Sequence, residues 1–184
     1  MEMTITEALQ EITTLQKRLE KARAAILPYI CRDSRVVDPL AKQDGGSVGF
    51  VARQRQAITD LEQRLVDIRT AIQMVNLKAE LTIDKTTRTV AQWLNWRREI
   101  SEHRQRFLAS MGSQIALMRA QLQNQRTGTR TALAQPTEAA VPVEITLNLD
   151  EARLLAEQDE MEALLGALDG KLSLFNATQK VDIA

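Results

Sequence analysis

Apolar residues recur every seven positions in four separate stretches of the chain. In the first, Ile5, Ile12, Leu19 and Ile26 form one stripe and Ala8, Leu15 and Ala22 the complementary one. That spacing keeps one face of an α-helix turned toward a partner helix. It predicts a helix over 1–27, with Thr4 or Thr6 as its cap and Glu7 completing a capping box with Thr4. Pro28 ends it. A second helix is predicted over 50–80, with Ile58, Leu65 and Ile72 on one seam and Leu61, Ile68 and Val75 on the other. A third runs over 87–126, capped by Thr87 or Thr89. Leu94, Leu108, Ile115 and Leu122 share one of its seam positions, with Ser101 among them. Val90, Met111 and Met118 share the other, interrupted by Arg97 and Arg104. The fourth, over 149–177, starts behind Asp150 as cap with Glu151 in its first turn. Leu154, Met161, Leu168 and Phe175 line it, beside Leu165 and Leu172.

Three stretches lack this period. Residues 28–49 contain Tyr29–Gly49, a long connection between helices, and connections of that length are usually functional, disordered or partnered. "NLKAELTIDKTTRT" reads as a helix end and a turn, with Asn76 as a capping residue; Asn176 stands in the same way near the end of the fourth helix, so the two cap their helices or pair. Residues 127–148 hold Gly128, Pro136 and Pro142 and read as a linker. Within it "VEITLNL" alternates apolar and polar residues as a short strand does, with "RVVD" at 35–38 as its expected hairpin mate. The expected architecture is mainly all-α and a single domain: an antiparallel, coiled-coil-like bundle of four long helices with a small β-hairpin or short strand. Each apolar seam is too narrow to be stable alone, so the seams must meet one another or copies of themselves. The helices are unequal, which leaves seam to spare and predicts a homo-oligomer.

Composition narrows the chemistry. Of 184 residues, 44% are hydrophobic and 26% charged, which predicts an ordered, soluble chain, but only 3% are aromatic, so aliphatic side chains must build the core. Lys plus Arg equals Asp plus Glu, 24 each, so the basic excess of a general nucleic-acid binder is absent. One cysteine, Cys31, and one histidine, His103, give neither an internal disulfide nor zinc-ligand spacing. No basic leader and no long uncharged apolar run is visible, which predicts a cytoplasmic or virion location.

Several segments resemble the septicolysin-like family of bacterial and phage-associated helical proteins. They are "ALQEITTLQKRLEKARAAI", "LEQRLVDIRTAIQMVN" ending in Asn76, "TVAQWLNWRREI" with Arg98-Glu99 in place of that family's Arg-Asp pair, and "ITLNLDEARLLAEQDEMEALLGALDGKLSLFNAT" with Asn176. The resemblance covers most of the chain apart from Tyr29–Gly49 and residues 109–140. It implies a helical, self-associating protein without known catalysis, and, through the family's name, cytolysis as an alternative.

The most chemically dense stretch is "WLNWRREISEHRQRF". Trp93, Leu94, Arg97, Ile100, Arg104 and Phe107 fall near one helix face; Trp96, Glu99, His103 and Arg106 lie toward another. Glu99–His103 and Glu102–Arg106 are i,i+4 pairs, each contributing about 0.2–0.5 kcal/mol on a helix surface. Aromatics interleaved with Arg97, Arg98 and Arg104 could stack on bases and meet phosphates. The favoured reading is a bundle helix whose tryptophans sit at its edge and whose seam arginines meet acids of another helix. His103 has no nucleophile tied to it, the glycines after Asp44 lack the ending of a phosphate loop and form a flexible turn, and the acidic residues of "EQDEMEALLGALDG" are spread over several faces. The function expected is therefore a non-enzymatic structural or assembly protein that binds itself and other particle proteins, as in a phage or phage-like particle. It needs no cofactor, metal or small-molecule substrate. Trp93, Trp96, Arg97, Arg98, Arg104, Phe107, Asn76 and Asn176 are its candidate interface or polar-core residues. A septicolysin-like, pore-forming membrane protein and a nucleic-acid adaptor acting through the third helix are the alternatives.

Overall fold

The computed structural model describes residues 1–132 and 145–183, and shows a mainly α-helical chain with two small antiparallel sheets. The chain divides into two compact units: Met1–Leu81 with Thr89–Ala91 and Lys171–Ala184, and Thr82–Arg88 with Gln92–Gly170. Each is built on an antiparallel helix pair.

In the first unit, β1 (Glu2–Thr4) leads directly into α1 (Ile5–Ile26). The expected capping box forms. Thr4 Oγ1 accepts from the Glu7 amide at 3.2 Å, and the Glu7 carboxylate accepts from the Thr4 amide at 2.8 Å. A 3-10 turn, Leu27–Tyr29, carries Pro28 and ends the helix. The chain then reaches α2 (Gly46–Lys78), which starts earlier than the seam pattern implied. Ile5, Ala8, Ile12, Leu15, Leu19 and Ile26 are all buried, as their period requires. Ile5, Ala8, Ile12 and Leu15 cluster with Ile68 and Ile72 on α2, with Leu61, Leu65 and Val75 at the margin. The antiparallel sense shows at the far end, where Tyr29 meets Phe50 edge-on with ring centroids 5.1 Å apart. Arg64–Glu11 (3.1 Å) and Arg23–Glu62 (2.6 Å) bridge the two helices.

The short strand β4 (Lys180–Asp182) closes this unit. It pairs antiparallel with β1, Met3 opposite Val181, and both of those side chains join the α1–α2 core together with Ile183. Lys180–Glu2 spans the sheet at 3.0 Å.

A second sheet stands where a helix end and turn were expected. After α2, β2 (Glu80–Ile83) and β3 (Thr86–Thr89) form a hairpin. Its two turn residues, Asp84 and Lys85, have φ of 46° and 37°. Left-handed φ at both central positions matches the twist of the flanking strands, which is what lets a two-residue connection close a hairpin. The hairpin expected between 35–38 and 143–148 is not made: 35–38 is irregular, and so are 145–148, while 143 and 144 lie outside the described residues. Asp33 and Asp38 explain the first failure. Their carboxylates accept from the amides of Arg35 and Leu40, and such side-chain acceptors offer the backbone an alternative to a strand ladder.

The second unit carries the greater part of α3 (Val90–Trp96), a π-helical turn (Arg97–Ser101), α4 (Glu102–Ala132) and the greater part of α5 (Glu151–Thr178). Thr89 directly precedes α3. Asp150 caps α5, its Oδ1 accepting from the Ala152 and Arg153 amides at 2.9 and 3.3 Å. Leu108 and Ile115 on α4 bury against Leu154 and Met161 on α5. Arg119 reaches Glu151, and Gln158 donates to the Leu108 carbonyl, which fixes the antiparallel sense of this pair. α4 runs on through Gly128, past the expected end at 126; Pro136 and Pro142 lie outside the described residues. Among those described, no helix is long and apolar enough to cross a membrane.

The π turn corrects the seam. A π turn inserts one extra residue into a helix and rotates what precedes it by about 100°. Ser101, Leu108 and Ile115 keep their seven-residue spacing and are buried, but the seam position before Ser101 falls on Trp93, which is 2% exposed, and not on Leu94, which is 37% exposed.

Candidate interaction surfaces

The residues singled out in the third helix separate into a core half and a surface half. Trp93 is core. Trp96 meets it edge-on, ring centroids 5.8 Å apart, and rests half-buried against the Leu108–Met161 cluster. The Arg88 guanidinium lies 4.9 Å from the Trp93 ring centroid. With both ring systems occupied by protein contacts, neither is presented for base stacking.

The arginines lie outside. Arg97 meets Asp169 of α5 at 3.1 Å, the acid from another helix that its seam position demanded, but both side chains are about half exposed. A pair so exposed contributes about 0–1 kcal/mol. Arg98 is held by Glu99 at 2.6 Å and by the Asn95 side-chain oxygen at 3.3 Å. Glu102–Arg106 forms as expected; Glu99 goes to Arg98 instead of to His103. Arg104, expected to be buried and paired, is exposed and makes no ion pair among the described residues. It shares its helix position with half-buried Met111 and with Met118, which is 43% exposed, so this side of the helix is not core. Phe107 is 62% exposed.

Arg104 instead lines a groove of about 580 Å³ in the second unit. Ile83, Met161 and Leu164 supply its apolar surface, and Asp84, Glu157 and Glu160 its carboxylates. The described residues bring no serine, cysteine or histidine to this groove, and no three His, Cys, Asp or Glu side chains gather anywhere among them in a metal-binding cluster.

The two asparagines do not cap. Asn76 sits inside α2 and Asn176 inside α5, each two residues before the last helical residue, and both are partly buried. The Asn76 Oδ1 atom is buried without a hydrogen-bond partner among the described residues, so the pairing of the two side chains is not formed.

Sequence reading overlooked Asp38. Its carboxylate accepts from the Leu40 amide, from the Ser47 amide at 2.9 Å and from the Ser47 hydroxyl, and so closes the connection between α1 and α2 over the first turn of α2. These donors, the Ser47 hydroxyl foremost, hold the Asp38 carboxyl at a pKa of about 2. The two glycines beside it are required. Gly45 and Gly46 have φ of 74° and 54°, and a Cβ on Gly46 would stand 2.6 Å from Asp38 Oδ2. The detectable signal was an aspartate followed nine residues later by serine behind two glycines. No protein family, curated protein or solved structure matches this chain.

Proposed function

We propose that this protein is a non-enzymatic, self-associating helical assembly protein, of the kind that builds a phage-like particle. The observation that supports the reading is an apolar stripe along the π turn and α4, broken by Arg104, that the described fold leaves uncovered. Ile100, Phe107 and Met118 are 49, 62 and 43% exposed, and they fall on one helical face through half-buried Met111, at steps of seven, four and seven residues. Leu117, 51% exposed, lies beside them. Isolated exposed apolar residues are ordinary; a stripe at helix–helix spacing is the signature of a missing partner helix. The zero net charge of the chain leaves association of like copies unopposed by long-range repulsion.

The septicolysin-like resemblance is consistent with this reading and carries less weight than the stripe. The test is the mass of the purified chain by size-exclusion chromatography with light scattering, compared with Phe107→Glu. A discrete oligomer that Phe107→Glu dissociates is the expected result. A monomer over the micromolar range would end the proposal.

A further inference from the structure

Two parts of the chain repeat each other. Thr4-Ile5-Thr6-Glu7-Ala8-Leu9-Gln10 and Thr89-Val90-Ala91-Gln92-Trp93-Leu94-Asn95 carry the same series: threonine, a β-branched residue, a free position, Glu or Gln, a variable residue, leucine, then Gln or Asn. Each series begins on the last residue of a strand and opens a helix. Ile5 and Val90 are buried alike (2 and 1% exposed), and so are Ala8 and Trp93 (0 and 2%). The second match lies 100 residues apart: Leu65 with Leu165, Ile68 with Leu168, Ile72 with Leu172, Asn76 with Asn176 and Ile83 with Ile183. Leucine spacing alone would prove little, because all such helices share it. The other matches are not of that kind. An asparagine precedes each helix end by two residues, a strand follows one residue after each end, and Ile83, the last residue of β2, and Ile183, the residue after β4, are both 1% exposed.

The backbone agrees. The Ala79 amide donates to the Val75 carbonyl at 2.9 Å and the Gln179 amide to Phe175 at 2.8 Å. The Val90 amide then donates to the Ala79 carbonyl at 2.9 Å, and the Ile5 amide to Gln179 at 3.0 Å. All four contacts map onto each other under the same correspondence. The strand pairing completes it. β1 pairs with β4, and β2 with β3, so each strand of residues 1–83 pairs with a strand of residues 86–183 and none with its own half.

We propose that residues 1–83 and 86–183 are two copies of one strand–helix–helix–strand unit, fused through the Asp84–Lys85 turn, and that the partner each unit binds through its strands is a second copy of the same unit. This goes beyond the assembly reading and stands without it, since the association it describes lies within one chain.

The test is a reciprocal exchange in the full chain: residues 61–83 are replaced by the sequence of 161–183, and 161–183 by that of 61–83. The control makes the same exchange one residue out of step, with 62–84 in place of 61–83, which turns every core side chain of the strands to the opposite face. The in-step variant should keep the helical circular dichroism and a single cooperative melt, its Tm lowered by less than about 10 °C from lost pairs such as Arg64–Glu11. The out-of-step variant should lose both. If the two variants fold equally well or fail equally, or if only the out-of-step chain folds, the duplication is refuted. The readout is the folding of one chain, so it is independent of whether chains associate with each other.

Discussion

Asp38 shows how one carboxylate organises a segment that carries no periodic signal. Its folded pKa of about 2 lies below the value of about 4 usual for an unfolded aspartate, so its anchoring is complete above about pH 4 and is lost as the pH falls through about 2. The protection factors of the Leu40 and Ser47 amides, measured against intrinsic exchange at the same pH, should therefore be high at pH 5 and fall toward pH 2, and Asp38→Ala should leave them low at both. Asn76 makes a different prediction. A buried carbonyl oxygen without a donor costs about 1–3 kcal/mol. Asn76→Leu should therefore raise the melting temperature by roughly 2–4 °C per kcal/mol recovered. A lowered Tm would mean that the asparagine has a partner in solution. Trp93 is the largest fully buried side chain, and Trp93→Ala should cost about 3–5 kcal/mol in a urea titration, several times the cost of Leu94→Ala.

At the scale of elements, the π turn at Arg97–Ser101 determines which side of the third helix enters the core. Deleting Arg98 removes one residue from the turn and returns the helix to regular α spacing. Trp93 then stands seven residues before Ser101 and stays on the buried face, so stability close to that of the parent chain is expected by urea denaturation. A drop of the size expected for Trp93→Ala would mean that the turn does not hold one extra residue. The hairpin Glu80–Thr89 is the other decisive element. Its alternation is short and its turn residues are Asp-Lys instead of the Asn-Gly pair that announces such turns, which is why it reads as a loop in sequence.

For the whole molecule, the exposed stripe on α4 predicts association. Burying a phenylalanine stabilises a contact by about 1.5–3 kcal/mol, so Phe107→Ala should weaken an oligomer held by that stripe by roughly tenfold to a hundredfold, read as a concentration-dependent mass in light scattering. Arg98→Ala, at an exposed residue held within its own helix, should leave the mass unchanged.

The seven-residue period by itself determined the four helical segments, the inward stripes of α1, α2 and α5, the caps at Thr4 and Asp150 and the mainly α-helical class. These follow from local repetition and from side chains that bond their own backbone, and both are written in consecutive residues. Tertiary structure decided the rest. The partner of β1 lies at the other end of the chain, the seam of the third helix shifts by one residue at a turn that no residue type announces, and Arg104 lies on a side of that helix that the described fold leaves exposed. Strand pairing across such a distance costs loop-closure entropy that only the assembled core repays. No window of sequence contains both sides of that balance.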